Sequence, residues 1–295
     1  MSLKNYLKNK PFLFRVARVP WRTYLQIRGF LFKAYLFAGF RRPELLTINY
    51  NDHIFKILVD PRSGYIDACI HHYKYWDKSL SDTFIKYLRK DSTCIDVGAN
   101  IGFLSLLAAS IVGANGKVLA IEPLEEIVLQ LQKSKEANNF SQLSIIPSAC
   151  GNRDGEVTFY ATKDTGVSSL LSNLETTSGK STERTVKLTK LDTLTSSLKK
   201  IDLIKIDVEG FEHEVLLGAE ETILRHRPII VLEYSPSFYN KNSADTKKHI
   251  VSFLKEKNYS VEILDSVVDN AVSKPDLLLE YPYNEGIWNV VCTPN

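Results

Sequence analysis

Apolar residues recur along this chain with two alternating periods, and the switches between them outline its architecture. Leu46 and Ile48, then Ile54, Ile57 and Val59, bracket Asn51-Asp52, a two-residue turn signal that predicts a β-hairpin over residues 45–60. Phe84, Ile85 and Leu88 fall on one face of a predicted helix over 81–88. From residue 93 onward short apolar runs alternate with longer segments of helical spacing. Strands are expected at 93–97, 117–121 and 143–147, with helices at 102–112 and 125–138 between them and Asn115-Gly116 marking the first return. Residues 156–161 and 184–188 have strand character and predict a ribbon, with the polar stretch 162–183 as a mobile loop. A strand at 201–206, a helix at 212–225, a strand at 228–233, a helix at 244–257 and strands at 259–264 and 287–292 complete the pattern. Strand–helix alternation of this kind predicts an α/β fold with a doubly wound, mostly parallel sheet and right-handed crossovers. Three parts follow: a basic N-terminal segment (1–44), a hairpin and helix leading into the core (45–90), and the α/β domain (91–295).

Two of these strands end abruptly in acids and glycine. Cys94-Ile-Asp-Val-Gly-Ala-Asn-Ile-Gly102 and Ile201-Asp-Leu-Ile-Lys-Ile-Asp-Val-Glu-Gly-Phe211 each run from apolar residues into a polar tip. In an open α/β sheet such tips lie at the carboxyl edge, where ligands bind. Gly98 permits a tight backbone turn, and the helix that follows begins with free N–H groups. The order Asp96-x-Gly98-x-Asn100-x-Gly102 is not the G-x-G-x-x-G of dinucleotide sites, because Asn100 stands where the second glycine would admit a pyrophosphate. An acid at Asp96 suits a cationic ligand instead, such as the amino group of S-adenosylmethionine. Glu122, at the end of the next strand, is placed to accept the two hydroxyls of a ribose.

The chain resembles the FkbM family of S-adenosylmethionine-dependent methyltransferases from about Asp91 to Tyr234. The resemblance is carried by Asp96-Val-Gly-Ala-Asn-Ile-Gly102, Ile121-Glu-Pro123, Ser148-Ala-Cys-Gly151 with Asp154-Gly155, Gly166-Val-Ser-Ser-Leu170, Leu191-Asp-Thr-Leu194, Ile204-Lys-Ile-Asp-Val-Glu-Gly210 and Pro228-Ile-Ile-Val-Leu-Glu233. It implies a class I methyltransferase (Rossmann-like) fold, S-adenosyl-L-methionine as cofactor, and O-methylation, typically of a hydroxyl on a sugar or a polyketide-like molecule; a sugar, glycan or glycolipid is the acceptor expected here. The cofactor-binding residues it implies are Asp96, Gly98, Asn100, Gly102, Glu122 and Ala149. The loop with Ser168 and Ser169 is expected beside the site.

Methyl transfer from a sulfonium needs alignment of the reacting atoms and a base for the hydroxyl proton, with no covalent enzyme intermediate. The catalytic candidates are Asp207, Glu209, Lys205 and Glu233. Lys205 and Asp207 share a strand face, so an ion pair is expected there: a buried lysine is costly without a compensating charge. Glu233 ends its strand at the ligand edge. His213, and the pair His71-His72, are weaker candidates for the site. Asp207 with Glu209 offers two carboxylates to a divalent cation, but two carboxylates do not make a site, and no metal is assigned.

Composition is that of an ordinary globular domain, 44% hydrophobic and 24% charged. The net charge of +3 hides an asymmetry: residues 1–42 hold ten of the 37 bases and no acid, so the remainder carries 27 bases against 34 acids. A net −7 body argues against a nucleic-acid groove. Between Trp21 and Phe40, Arg22, Gln26, Gly29 and Lys33 form one narrow helical stripe, and most of the remaining surface is apolar. The uncharged runs are too short to span a bilayer. Two readings stay open: a helix packed on protein, or an interfacial helix in peripheral contact with anionic lipid. Cys69, Cys94, Cys150 and Cys292 show no metal or disulfide spacing, so a reducing, cytoplasmic setting is expected. The competing function classes are a catalytically silent binding protein on a methyltransferase fold and, less favoured, a nicotinamide-dependent oxidoreductase. The acceptor and the oligomeric state are not legible.

Overall fold

A computed structural model describes residues 42–161, 182–236, 244–264, 273–280 and 287–295. The N-terminal basic stripe and the loop with Ser168 and Ser169 lie outside the described residues. The described part opens with the expected hairpin, β1 (Glu44–Tyr50) and β2 (His53–Val59), paired from Glu44↔Val59 to Tyr50↔His53. Asn51 and Asp52 both have positive φ, 48° and 67°, the conformation a type I′ turn demands. Two helices follow, α1 (Tyr65–Tyr73) and α2 (Lys78–Tyr87). The first was not anticipated, although Ile66, Cys69, Ile70 and Tyr73 stand at helical spacing. Asp77 starts the second by accepting the Leu80 N–H at 3.0 Å.

The central sheet contains β3 (Thr93–Val97), β4 (Lys117–Ile121), β5 (Leu143–Ile146), β9 (Leu203–Ile206), β10 (Ile229–Tyr234), β11 (Tyr259–Ile263) and β12 (Trp288–Pro294). Its order is β11-β12-β10-β9-β3-β4-β5. Pairings from β5 through β10 are parallel, while β12 runs antiparallel to both β10 and β11. The first crossovers are α3 (Phe103–Val112) and α4 (Glu125–Asn138). Strand alternation divides the core between the two sheet faces. Cys94, Leu203 and Val231 join the cluster under β1, β2, α3 and α4, whereas Ile95, Ile204, Ile206 and Leu232 join the opposite one. This is the class I methyltransferase architecture, α/β and mostly parallel.

The predicted ribbon is β7 (Gly155–Ala161) against β8 (Thr182–Thr189), extended by the two-residue β6 (Ala149–Cys150) into a separate three-stranded sheet. After α5 (Leu191–Thr195), one correction is needed. The helix expected over 212–225 is two helices, α6 (Glu212–Leu217) and α7 (Glu220–His226). A long-range contact makes the break: Asp192 Oδ1 accepts the Thr222 N–H at 2.8 Å and the Thr222 hydroxyl at 2.6 Å, capping a new helix start. Helix α8 (Ala244–Glu256) and a 3₁₀ turn (Pro275–Leu279) lead to the last strands. All four cysteines are buried, and no disulfide joins them. Among the described residues no helix is long and apolar enough to cross a membrane.

Candidate active site

The carboxyl ends of β3, β4, β9 and β10 open into a pocket of about 1140 Å³, counting the part open to solvent. Among the described residues its lining carries Asp77, Asp96, Glu122, Asp207, Glu209 and Glu233 against a single base, Lys205. That excess of acid fits a positively charged ligand. The other expected cofactor residues, Gly98, Asn100, Gly102 and Ala149, also line it.

The floor is an ion-pair cluster that the sequence revealed only in part. Lys205 Nζ lies 3.2 Å from Asp207 Oδ2, as expected, but also 3.2 Å from Asp96 Oδ1, and it donates to the Gly98 carbonyl at 2.7 Å. The ammonium thus faces three oxygens in a side chain only 5% exposed. Burial alone would lower the Lys205 ammonium, yet Asp207 and Asp96 raise it above its ordinary value. Lys205 Nζ thus faces both acids from within the pocket lining. Asp96 has no exposed surface: Oδ2 takes the Ser105 hydroxyl at 2.5 Å, while Oδ1 faces Lys205 and has no hydrogen-bond partner among the described residues.

The glycines owe their identity to packing as much as to any ligand. A Cβ at Gly98, where φ is +76°, would stand 1.8 Å from the Asp207 carbonyl oxygen. One at Gly102 (φ +87°) would stand 2.1 Å from Leu131 Cδ1 on α4. Asn100 also takes a left-handed conformation, φ 51°. Its N–H reaches Glu122 Oε2 at 3.1 Å, and the Leu124 N–H reaches Oε1 at 3.0 Å. Glu122 is 7% exposed, and burial pushes its carboxyl up to about 7. Each oxygen keeps a second lone pair for a hydroxyl, as the ribose expectation requires.

Opposite Glu122 stands an acidic wall. One oxygen from each of Asp207, Glu209 and Glu233 lies within 4.8 Å of the others, a spacing that would also admit a divalent cation. Glu233 thereby adds a third carboxylate to the pair seen in the sequence. Burial, then the charges of Asp207 and Glu212, push Glu209 up to about 9. Burial, Asp207 and Glu209 likewise hold Glu233 well above the carboxylate range. The turn carrying Glu209 is itself unusual: Glu209 and Gly210 both have positive φ, 54° and 99°.

Glu212 holds this turn, and sequence reasoning overlooked it. Fully buried at the start of α6, it accepts the Gly210 N–H at 2.9 Å and the Val208 N–H at 3.3 Å through Oε1. Its spacing three residues after Glu209 was the available signal. Trp76 and Asn289, from α2's leading turn and β12, also line the pocket and were not anticipated. The weaker candidates are elsewhere. His213 pairs with Glu214 at 3.7 Å and stacks on His249, while His71 meets Glu44 at 3.0 Å.

Fold and pocket together define a class I S-adenosylmethionine-dependent methyltransferase. The sequence matches the methyltransferase FkbM domain over residues 96–261, and the chain belongs to that family. It is 26% identical over 186 residues to Methyltransferase 1 of Beauveria bassiana, a match covering 57% of this chain and 73% of that protein. It is also 29% identical over 180 residues to the AMB antimetabolite synthetase AmbE of Pseudomonas aeruginosa, covering 50% of this chain but only 8% of that much longer protein. Among solved structures, the methyltransferase FkbM from Methylobacillus flagellatus superposes with a TM-score of 0.42 at 15% identity, covering 77% of this chain and 59% of its own. An S-adenosylmethionine-dependent O-methyltransferase from Thermotoga maritima gives 0.43 at 12%, covering 85% and 86%.

Proposed function

We propose that this methyltransferase transfers its methyl group to a hydroxyl oxygen of a sugar, glycan or glycolipid. The observation carrying this reading is the carboxylate wall of Asp207, Glu209 and Glu233, set across the pocket from Glu122. S-adenosylmethionine, when bound, supplies a methyl group made electrophilic by its positive sulfur. Glu122 holds the ribose end, and the acid-rich lining favours the cationic end. On the far wall Ser235 Oγ donates to Glu233 Oε2 at 2.9 Å, leaving Oε1, when Glu233 is ionised, to accept the acceptor's hydroxyl proton. A base so placed contributes roughly 10²–10⁴-fold. Burial first, then the neighbouring Asp207 and Glu209, raises the proton affinity of Glu233, and Lys205 fixes Asp207 in place. Glu212 holds the turn that presents Glu209.

Radiolabelled methyl transfer from S-adenosylmethionine onto fractionated glycans and glycolipids tests the reading. Label should appear in carbohydrate as an alkali-stable methyl ether. Label found only in protein, or lost in mild alkali as from an ester, would replace the hydroxyl acceptor by another class.

A further inference from the structure

The strand order separates the two ends of the pocket. Glu122 ends β4 and Glu233 ends β10, with β3 and β9 between them. Three strand spacings, about 14 Å, therefore divide the ribose-holding carboxylate from the proposed base. Beyond Glu233 the next strand is β12, whose Asn289 pairs directly with Glu233 in register. Asn289 Nδ2 donates to Asp77 Oδ2 at 3.0 Å, a bond between residues 212 positions apart. Asp77 is the cap of α2, and its backbone is held at φ 36°. Trp76 precedes it, half-buried and resting edge-on against Tyr65 at 6.3 Å. Trp76, Asp77, Glu233 and Asn289 all line the pocket.

This corner combines one flat aromatic face with two carboxylates and an amide. A pyranose ring presents the matching surfaces: a face of C–H groups for the indole and a rim of hydroxyls for carboxylate and amide oxygens. The fixed Asp77–Asn289 bond sets the spacing of the polar partners, so the corner is preorganised. Trp76, Asp77 and Asn289 also lie outside residues 96–261, the stretch matched by the family. The flanks outside that stretch therefore converge at the acceptor end, whereas Glu122 and the floor come from within it. We propose that Trp76, Asp77 and Asn289 form the acceptor subsite, which binds a pyranoside ring and sets which hydroxyl faces Glu233. The proposal rests on the sugar-acceptor reading above.

Saturation-transfer NMR on the protein loaded with S-adenosylhomocysteine tests it, with methyl α-glucopyranoside and methyl α-rhamnopyranoside as probes and glycerol as a control lacking a ring face. Ring C–H protons of at least one pyranoside should receive saturation, and glycerol should not. Trp76→Phe keeps an aromatic face and should retain this binding. Trp76→Leu and Asn289→Leu should weaken it about 3- to 10-fold, the range of an aromatic contact or one hydrogen bond, with S-adenosylhomocysteine affinity unchanged by calorimetry. Equal pyranoside binding by the Phe and Leu variants overturns the subsite but leaves the sugar reading standing. Absence of binding by any pyranoside to the loaded wild type overturns both.

Discussion

Lys205 Nζ lies 3.2 Å from Asp96 Oδ1 and ties β9 to β3 beneath the pocket. The pair is buried, so its Coulomb attraction and the cost of removing both charges from water are each large. Removing one partner leaves the other charged in an apolar strand. Lys205→Met should therefore destabilise the protein by about 3–5 kcal/mol. The double variant with Asp96→Asn should lose less than the two single losses added together, as coupled neighbours do. Denaturant titration of the three variants measures this. Additive losses would mean the two side chains do not interact.

Glu122 serves the loop as well as the ligand. Glu122→Ala strands the N–H groups of Asn100 and Leu124, and each lost charge-assisted bond is worth about 1.5–3 kcal/mol. S-adenosylhomocysteine affinity should fall by at least about 10-fold, together with a lower melting temperature. Unchanged affinity in calorimetry would remove Glu122 from the cofactor site.

Asp207 has a side chain 31% exposed and facing the pocket, unlike buried Lys205. If it stands at the reaction centre, Asp207→Asn should cut turnover by roughly 10²-fold with cofactor affinity nearly intact. Were it only a partner for Lys205, the same change would mainly lower thermal stability. Measuring both on one variant separates these roles.

The raised Glu209 carboxyl makes stability depend on pH in a defined direction. Its folded value, about 9, exceeds the ordinary 4.5, so across that interval the folded state binds more protons than the unfolded one. Stability contributed by this group is then present below about pH 4.5 and lost as pH rises towards 9. Glu209→Gln should flatten that decline and melt higher than wild type at pH 8. A variant whose melting temperature tracks wild type across the whole range would contradict a raised Glu209.

Residues 1–42, with ten bases and no acid, are proposed to bring the enzyme to anionic membrane surfaces. Each base near such a surface contributes about 1 kcal/mol. Full-length protein should co-sediment with phosphatidylserine vesicles and release as salt screens the charges. A truncation starting at Arg42 should bind S-adenosylhomocysteine normally but stay in the supernatant. A truncated protein that aggregates would instead favour packing of this segment on protein.

Much of the fold was legible because local rules govern it. Period-two and period-3.6 patterns placed the hairpin, the core strands and helices α3 and α4 to within a residue or two. Asp96-Val-Gly-Ala-Asn-Ile-Gly102 and Glu122 pointed to the ligand edge, since an apolar strand that ends in acids and glycine brings polar groups to the carboxyl edge of the sheet. What remained hidden depends on residues far apart in sequence. The split of α6 from α7 comes from Asp192, thirty positions before the Thr222 N–H it accepts. That Asp96 faces Lys205 follows only from the sheet order, which sets β9 beside β3. Asn289 carries no local signal, yet β12 inserts between β10 and β11 and brings it level with Glu233 and within bonding distance of Asp77. Periodicity fixes which face of an element is apolar, but the neighbours at its polar end are chosen only when the strands take their order in the sheet.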